Sequence, residues 1–261
     1  MPEPDAGDLP LLLNAAEEAG RIALGHFKAD PEIWEKDGGA GPVTEADLAV
    51  DTMLREELTA ARPDYGWLSE ETEDSQARLT AQDVFIVDPI DGTRSFIEGS
   101  NTWAISLAAA RHGEVTSAVV HLPARGLTFA AAKGQGATLN GVPISVRADA
   151  GQILSPKINF RPEFWDRAPA KPDLSFRSSL AYRLSTVAQG KFAAMLTLRY
   201  TWEWDVAAGT LLVAEAGGSV FTTTGQSPRF NTERGALPGI IAGAPAVANH
   251  YMSHGPRIPS P

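Results

Sequence analysis

Two carboxylates three residues apart close an apolar run. Val84-Phe85-Ile86-Val87 leads into Asp88-Pro89-Ile90-Asp91-Gly92-Thr93. The apolar, largely β-branched part reads as a buried strand. Pro89 cannot donate to a sheet ladder, so the strand is expected to stop there. Two acids turned into one strand end repel each other unless a cation lies between them. Oxygen-only ligands suit a hard divalent ion, magnesium above all. Such ions handle phosphate, so metal-assisted phosphate chemistry is the first expectation.

Other acids stand at element ends. Glu70 and Glu71 follow a short strand at Tyr65–Leu68, and Asp205 follows Trp204 before an apolar helix. Asp47 lies three residues after Thr44, the spacing of a capping box. Taken singly, each has a plain reading: Asp47 and Asp205 as helix caps, Glu70-Glu71 as solvated charge. Taken together, acids at the ends of strands and helices are what an α/β site is built from.

The elements that must position them alternate. Leu9–Phe27 carries apolar residues at helical spacing. A second helix runs from Thr44 to about Ala61 and ends at Pro63. The glycine-rich Lys36–Pro42 reads as a mobile loop. Strands are expected at Thr102–Ala110, Val115–Leu122 and Leu127–Ala132, with a hairpin at Asn140-Gly141. The second half predicts weak strands at Ile153–Leu154 and Leu174–Phe176, then a helix over Ser179–Gln189. A strand at Ala193–Leu198 follows, then a helix at Val206–Ala216 capped by Asp205. Strands at Gly218–Thr222 and Gly239–Ala242 precede a last helix after Pro245. This is a layered α/β pattern in two parts, 1–147 and 148–261, with 254–261 as a loose tail.

Bulk composition narrows the classes. A chain of 261 residues with 43% hydrophobic content supports a packed core. With 22 basic and 32 acidic residues the formal charge is −10, which argues against nucleic acid as a partner. Cysteine is absent, which removes disulfides and thiolate chemistry and fits a cytoplasmic protein. No apolar stretch approaches the roughly 20 residues of a membrane span. The acidic N-terminus lacks the positive start of a signal peptide. His250 and His254 have helical metal spacing but lie in a Gly/Pro-containing terminal segment.

The ordered set Asp47, Glu70-Glu71, DPIDGT at 88–93 and WDVAAG at 204–209 resembles the inositol monophosphatase superfamily over roughly Leu9–Ala244. The resemblance implies an alternating α-β-α-β-α sandwich of the sugar-phosphatase type. It implies a lithium-sensitive phosphomonoesterase using two or three magnesium ions, and a possible homodimer. By position, Glu70, Asp88, Asp91, Asp205 and the Ile90 carbonyl match metal ligands. Asp47 and Thr93 match a pair that orients the attacking water, which Glu70 helps activate. Gly92 and Thr93 match a phosphate-cradling turn, and Lys36 an accessory loop residue.

The resemblance implies a small phosphate ester as substrate. Leu198 stands seven residues before Asp205, where inositol monophosphatases commonly carry an acid that meets a sugar hydroxyl. Arg94 and the Ser178-Ser179 segment resemble bisphosphate nucleotidases, so a 3′(2′),5′-bisphosphate nucleotide such as phosphoadenosine phosphate is the favoured expectation. Arg94, Ser179, Asp91 and Asp205 would then contact substrate. An inositol, sugar or polyol phosphate is the alternative, and a non-catalytic phosphate-binding module or a glycosidase the remote ones. Trp34, Trp103, Trp165, Trp202 and Trp204 could stack on a base. The Lys133-Gly134-Gln135-Gly136 stretch lacks the ending of a phosphate loop.

Overall fold

A computed structural model describes residues 7–29, 31–36, 41–147 and 151–258. Helix α1 (Leu9–His26) buries Leu12, Ala15, Ala16, Ala19 and Ala23 along one stripe. Helix α2 (Glu45–Ala61) opens on a complete capping box: Thr44 Oγ1 accepts from the Ala46 and Asp47 amides, and Asp47 accepts from the Thr44 amide at 2.9 Å. Strands β1 (Ile33–Glu35) and β2 (Pro42–Thr44) pair between the helices. They are too short to show in the sequence pattern, and they flank the glycine-rich run, whose residues 37–40 lie outside the described ones.

Seven strands follow in sequence order as one sheet. They are β3 (Gly66–Ser69), β4 (Asp83–Asp91), β5 (Ala104–Arg111), β6 (Glu114–Leu122), β7 (Leu127–Ala132), β8 (Ala137–Leu139) and β9 (Val142–Ile144). Only β3 and β4 run parallel; the other neighbours are antiparallel. Asn140 and Gly141 both adopt left-handed backbone angles at the β8–β9 turn, as an Asn-Gly hairpin requires. A second sheet has the order β11-β10-β12-β14-β13. Its strands are β10 (Ile153–Leu154), β11 (Leu174–Ser175), β12 (Ala194–Trp202), β13 (Ser219–Phe221) and β14 (Ala236–Gly243). The remaining helices are α3 (Thr93–Ile97), α4 (Leu180–Ala188), α5 (Glu203–Glu215) and α6 (Pro245–Met252).

Strand alternation makes the layers. On β4, Phe85 and Val87 join the core under α1 and α2, whereas Val84 and Ile86 face the opposite core with α4 and α5. That second core also takes Met195 and Ile240 from the other sheet, so α4 and α5 lie between the two sheets. Leu196 and Ile241 point outward to Ala248 and Tyr251 of α6. The order is α-β-α-β-α, the layered α/β architecture expected. Gly209 lets α4 and α5 approach: a Cβ there would stand 2.5 Å from the Leu184 Cβ.

Three local expectations are corrected. Pro89 does not end β4. The strand continues to Asp91, and its register against β5 slips between Asp88 and Asp91, so the proline occupies an irregularity where no ladder bond is demanded. Asp205 is not the cap of α5; the helix starts at Glu203, with Trp202 at the cap position, and Asp205 stands in its first turn. Residues 254–258 are not loose. The Asp166 and Arg167 amides donate to the Gly255 and His254 carbonyls at 2.8 and 3.1 Å, and Trp165 bridges Pro256. Residues 259–261 lie outside the described ones. Among the described residues, no helix is long and apolar enough to cross a membrane.

Candidate active site

The slipped register of β4 leaves Asp88 inside the protein, 1% exposed, with neither carboxylate oxygen hydrogen-bonded. Glu70 comes to the same place because it directly follows β3, parallel to β4, and its amide donates to the Val87 carbonyl at 3.3 Å. Asp205 arrives from the first turn of α5. One oxygen from each of Glu70, Asp88 and Asp205 lies within 4.8 Å of the others. Burial drives the Asp88 carboxyl well above the ordinary range, and the fields of Glu70, Asp91 and Asp205 push the same way. Asp205 is raised by burial and then by Asp91 and Glu70.

A buried carboxylate with no donor costs several kcal/mol unless it protonates or meets a cation. Asp88 is such a group, and with the partly buried Glu70 and Asp205 it offers three carboxylate oxygens around one point, which fits a hard divalent ion. This is a possible acidic metal site on the donor chemistry alone.

Asp91 stands apart from that trio. Its Oδ2 accepts from the Ser179 hydroxyl and from the Ala181 amide, each at 2.6 Å. Burial lifts its pKa to about 6, with these two bonds acting against the rise. Ser179 is fully buried and also caps α4 by accepting from the Tyr182 amide at 2.9 Å. Its hydroxyl is therefore committed to Asp91 and the helix, not turned to the cavity as the sequence led us to expect; the wall hydroxyl is that of Ser178.

Thr93 Oγ1 donates to Asp47 Oδ1 at 3.1 Å and lies 3.2 Å from the Ile90 carbonyl. Asp47 Oδ2 is already filled by the Thr44 amide and hydroxyl at 2.9 and 2.5 Å. Asp47 thus serves the helix cap and Thr93 at once. Gly92 holds φ +101°, and a Cβ there would meet the Thr102 carbonyl at 3.3 Å, so the turn requires glycine. Lys36 Nζ donates to Glu70 and Glu71, both at 2.7 Å. Burial raises Glu71 to about 7 in spite of that bond.

The acids open into a cavity of about 320 Å³. Its walls include Arg94, Ser178, Arg199, Trp202 and Trp204. The tryptophans sort accordingly. Trp103 is core, packed on Phe27 and Phe96 at 5.4 and 5.0 Å, and Trp165 packs on Phe160 and Tyr251. Trp34 lies on β1. His250 and His254 meet edge to face with ring centroids 4.6 Å apart, and His254 Nδ1 lies 2.8 Å from the His250 carbonyl.

The sequence profile described as "Inositol monophosphatase family" matches residues 9–254.

The chain belongs to the inositol monophosphatase family.

Like other family members it is a phosphatase, a hydrolase of phosphoric monoesters. It is 32% identical to a histidinol-phosphatase of Chlorobaculum parvum, over 94% of this chain and 95% of that protein. It is 36% identical to an inositol-1-monophosphatase of Rhizobium meliloti, over 69% and 72% of the two chains. The extragenic suppressor protein suhB of Bartonella henselae superposes with a TM-score of 0.79 at 28% identity, over 94% and 96% of the two chains.

Sequence reasoning missed two arginines of this family member's site. Arg199 is reached only through an irregularity in β12. Arg183 is buried in α4 within the electrostatic reach of Asp91 and Asp205, its Nε donating to the Arg177 carbonyl at 2.5 Å, and burial lowers its pKa to about 10 against the pull of those two acids. A lone charge in the otherwise uncharged helix Leu180–Ala188 was the signal for it.

Proposed function

We propose that this chain hydrolyses the phosphate monoester of a small sugar or polyol-like alcohol, using magnesium held by Glu70, Asp88, Asp91, Asp205 and the Ile90 carbonyl. The observation that carries the proposal is the Asp88 carboxylate, buried with both oxygens unbonded beside Glu70 and Asp205. Bound divalent ions supply Lewis acidity, charge neutralisation and a more acidic water.

The protein's own groups do the rest. Asp47 fixes the Thr93 hydroxyl by accepting its proton in a 3.1 Å bond, which leaves the Thr93 oxygen lone pairs to orient a water. Glu70, whose carboxylate shares one point with Asp88 and Asp205, would take up that water's proton. Gly92 and Thr93 offer amides at the turn where the phosphoryl oxygens would rest. Ser179 and the Ala181 amide hold Asp91 in one orientation. Lys36 bridges Glu70 and Glu71 and limits their mutual repulsion.

The names of the relatives, an inositol-1-monophosphatase and a histidinol-phosphatase, support the sugar or polyol alternative over the bisphosphate-nucleotide expectation. A reducing compartment such as the cytoplasm suits a chain without cysteine. Two or three ions per site, lithium inhibition and a homodimer belong to the same proposal.

Release of inorganic phosphate from a panel of sugar, polyol and amino-alcohol phosphates tests it. Turnover should require magnesium and fall with lithium. Equal turnover after chelation of all divalent ions would refute it.

A further inference from the structure

Strand β12 breaks its register against β14 between Thr197 and Tyr200. Regular strands send alternate side chains to opposite faces. At this irregularity Arg199 and Tyr200 are both exposed, whereas Leu198 is fully buried in the outer core. Leu198, seven residues before Asp205, therefore does not face substrate; its neighbour Arg199 lines the cavity instead.

Arg94 lines the same cavity from the turn after Gly92. Neither Arg94 nor Arg199 has a side-chain hydrogen bond or ion pair among the described residues, whereas Arg62, Arg78, Arg111 and Arg229 are each paired with an acid. Arg199 acts on Asp205 only through space. Once divalent ions neutralise the acid cluster, two unpaired guanidinium groups remain on the wall. Their planar forks suit phosphate or carboxylate.

Trp202 adds a surface. Its ring stacks on Trp204 with centroids 4.9 Å apart and planes 11° from parallel. One face is thus fixed, and the residue remains 47% exposed at the cavity. A prefixed aromatic face binds a flat ring at low entropic cost.

Resting on the phosphatase proposed above, we infer that Arg199, Arg94 and Trp202 form a leaving-group subsite that selects an alcohol carrying a second anion beside a flat ring face. A sugar bisphosphate and a nucleoside bisphosphate share this chemistry. A cationic amino alcohol is disfavoured by the same arginines.

The test compares paired esters with magnesium: fructose 1,6-bisphosphate against fructose 1-phosphate, and adenosine 3′,5′-bisphosphate against adenosine 3′-phosphate, with histidinol phosphate as the cationic probe. The wild type is expected to prefer the bisphosphate in at least one pair, and that pair identifies the source. Arg199→Ala should cut the preference about tenfold, mainly through KM, and Arg199→Lys should restore part of it. Trp202→Ala should raise KM for the same ester, with rescue by Trp202→Phe. Calorimetric binding of both bisphosphates to an Asp88→Asn protein and its Arg199→Ala counterpart gives a readout free of turnover, with about tenfold weaker binding expected. Parallel losses on both members of a pair would assign the arginine to the scissile phosphate and overturn the subsite. Unchanged binding on loss of Arg199, or a wild-type preference for histidinol phosphate, would overturn it too. Absence of phosphate release from every ester would instead strike the phosphatase proposal, while the binding arm still judges the subsite.

Discussion

The first turn of α5 and the end of β4 each bury a carboxylate, Glu203 with 0% exposure and Asp88 with 1%. Their surroundings differ completely. Glu203 accepts from the Asn231 amide at 2.6 Å, and from the Thr232 amide and hydroxyl at 2.9 and 2.6 Å. Arg78 stands behind this network, bonded to Asn231 Oδ1 at 2.7 Å and to the Thr232 carbonyl at 3.0 Å. Asp88 has no donor on either oxygen and faces Glu70, Asp91 and Asp205. Glu203 is a finished structural group that ties the loop at 231–232 to α5. Asp88 is held unfinished by the same fold. Burial alone does not set an acid apart from the rest of the core; burial without donors does.

The largest expected effect falls on the unfinished side. Asp88→Asn should lower phosphate release roughly a thousandfold or more, since it removes a charge that a divalent ion would need. The same change should raise, not lower, the thermal midpoint of the metal-free protein, because it relieves repulsion among the acids. Matching losses of activity and midpoint would erase the distinction between the two carboxylates.

Glu203→Ala should show the mirror image. It strands two part-buried amides and a hydroxyl, a cost of about 2–4 kcal/mol in denaturant unfolding. Magnesium affinity per folded molecule should change far less than in Asp88→Asn, which calorimetry with the ion alone can measure.

Ser179→Ala gives an intermediate case. It removes one of the two donors that orient Asp91, so a loss of about tenfold in activity is expected with α4 weakened by about 1 kcal/mol. An activity loss as large as that of Asp88→Asn would mean that the hydroxyl itself meets substrate.

The smallest effect is that of pH on the metal-free fold. Asp91 is raised to about 6 and Glu71 to about 7, and burial raises Asp88 well above the ordinary carboxylate range. Over that interval the folded state holds more protons than the unfolded chain. Stability of the metal-free protein should therefore fall as pH climbs from about 4 to about 7. Saturating magnesium should flatten or reverse the fall. Thermal midpoints across that range, with and without the ion, check the sign.

Much of this site could be read from short stretches of sequence. The capping box at Thr44–Asp47 and the Asn140-Gly141 hairpin depend on neighbours in the chain, and the local pattern carried both. The DPIDGT and WDVAAG segments singled out Asp88, Asp91 and Asp205 because an apolar strand and an apolar helix deliver them. Other features depend on distant partners. Pro89 looked like a strand end because no sequence rule says where a register will slip. Ser179 looked like a substrate contact because its bond to Asp91 spans 88 positions. Lys36 was noticed as a loop cation, but its pairing with both Glu70 and Glu71 requires the fold. Residues 254–258 looked loose because their partners lie at 164–167.

By itself the sequence determined which groups are available: oxygen donors without thiols, apolar segments that carry them inward, and the glycines where backbones must approach. Only the tertiary structure decided which groups go without a partner. Asp88 and Glu203 are both acids next to apolar elements, and their different fates come from donors contributed by residues far along the chain. Arg199 rather than Leu198 faces the cavity for the same reason, since the irregularity of β12 is set by its pairing with β14. Hydrogen bonds and strand register are properties of meeting segments, and no single segment contains them.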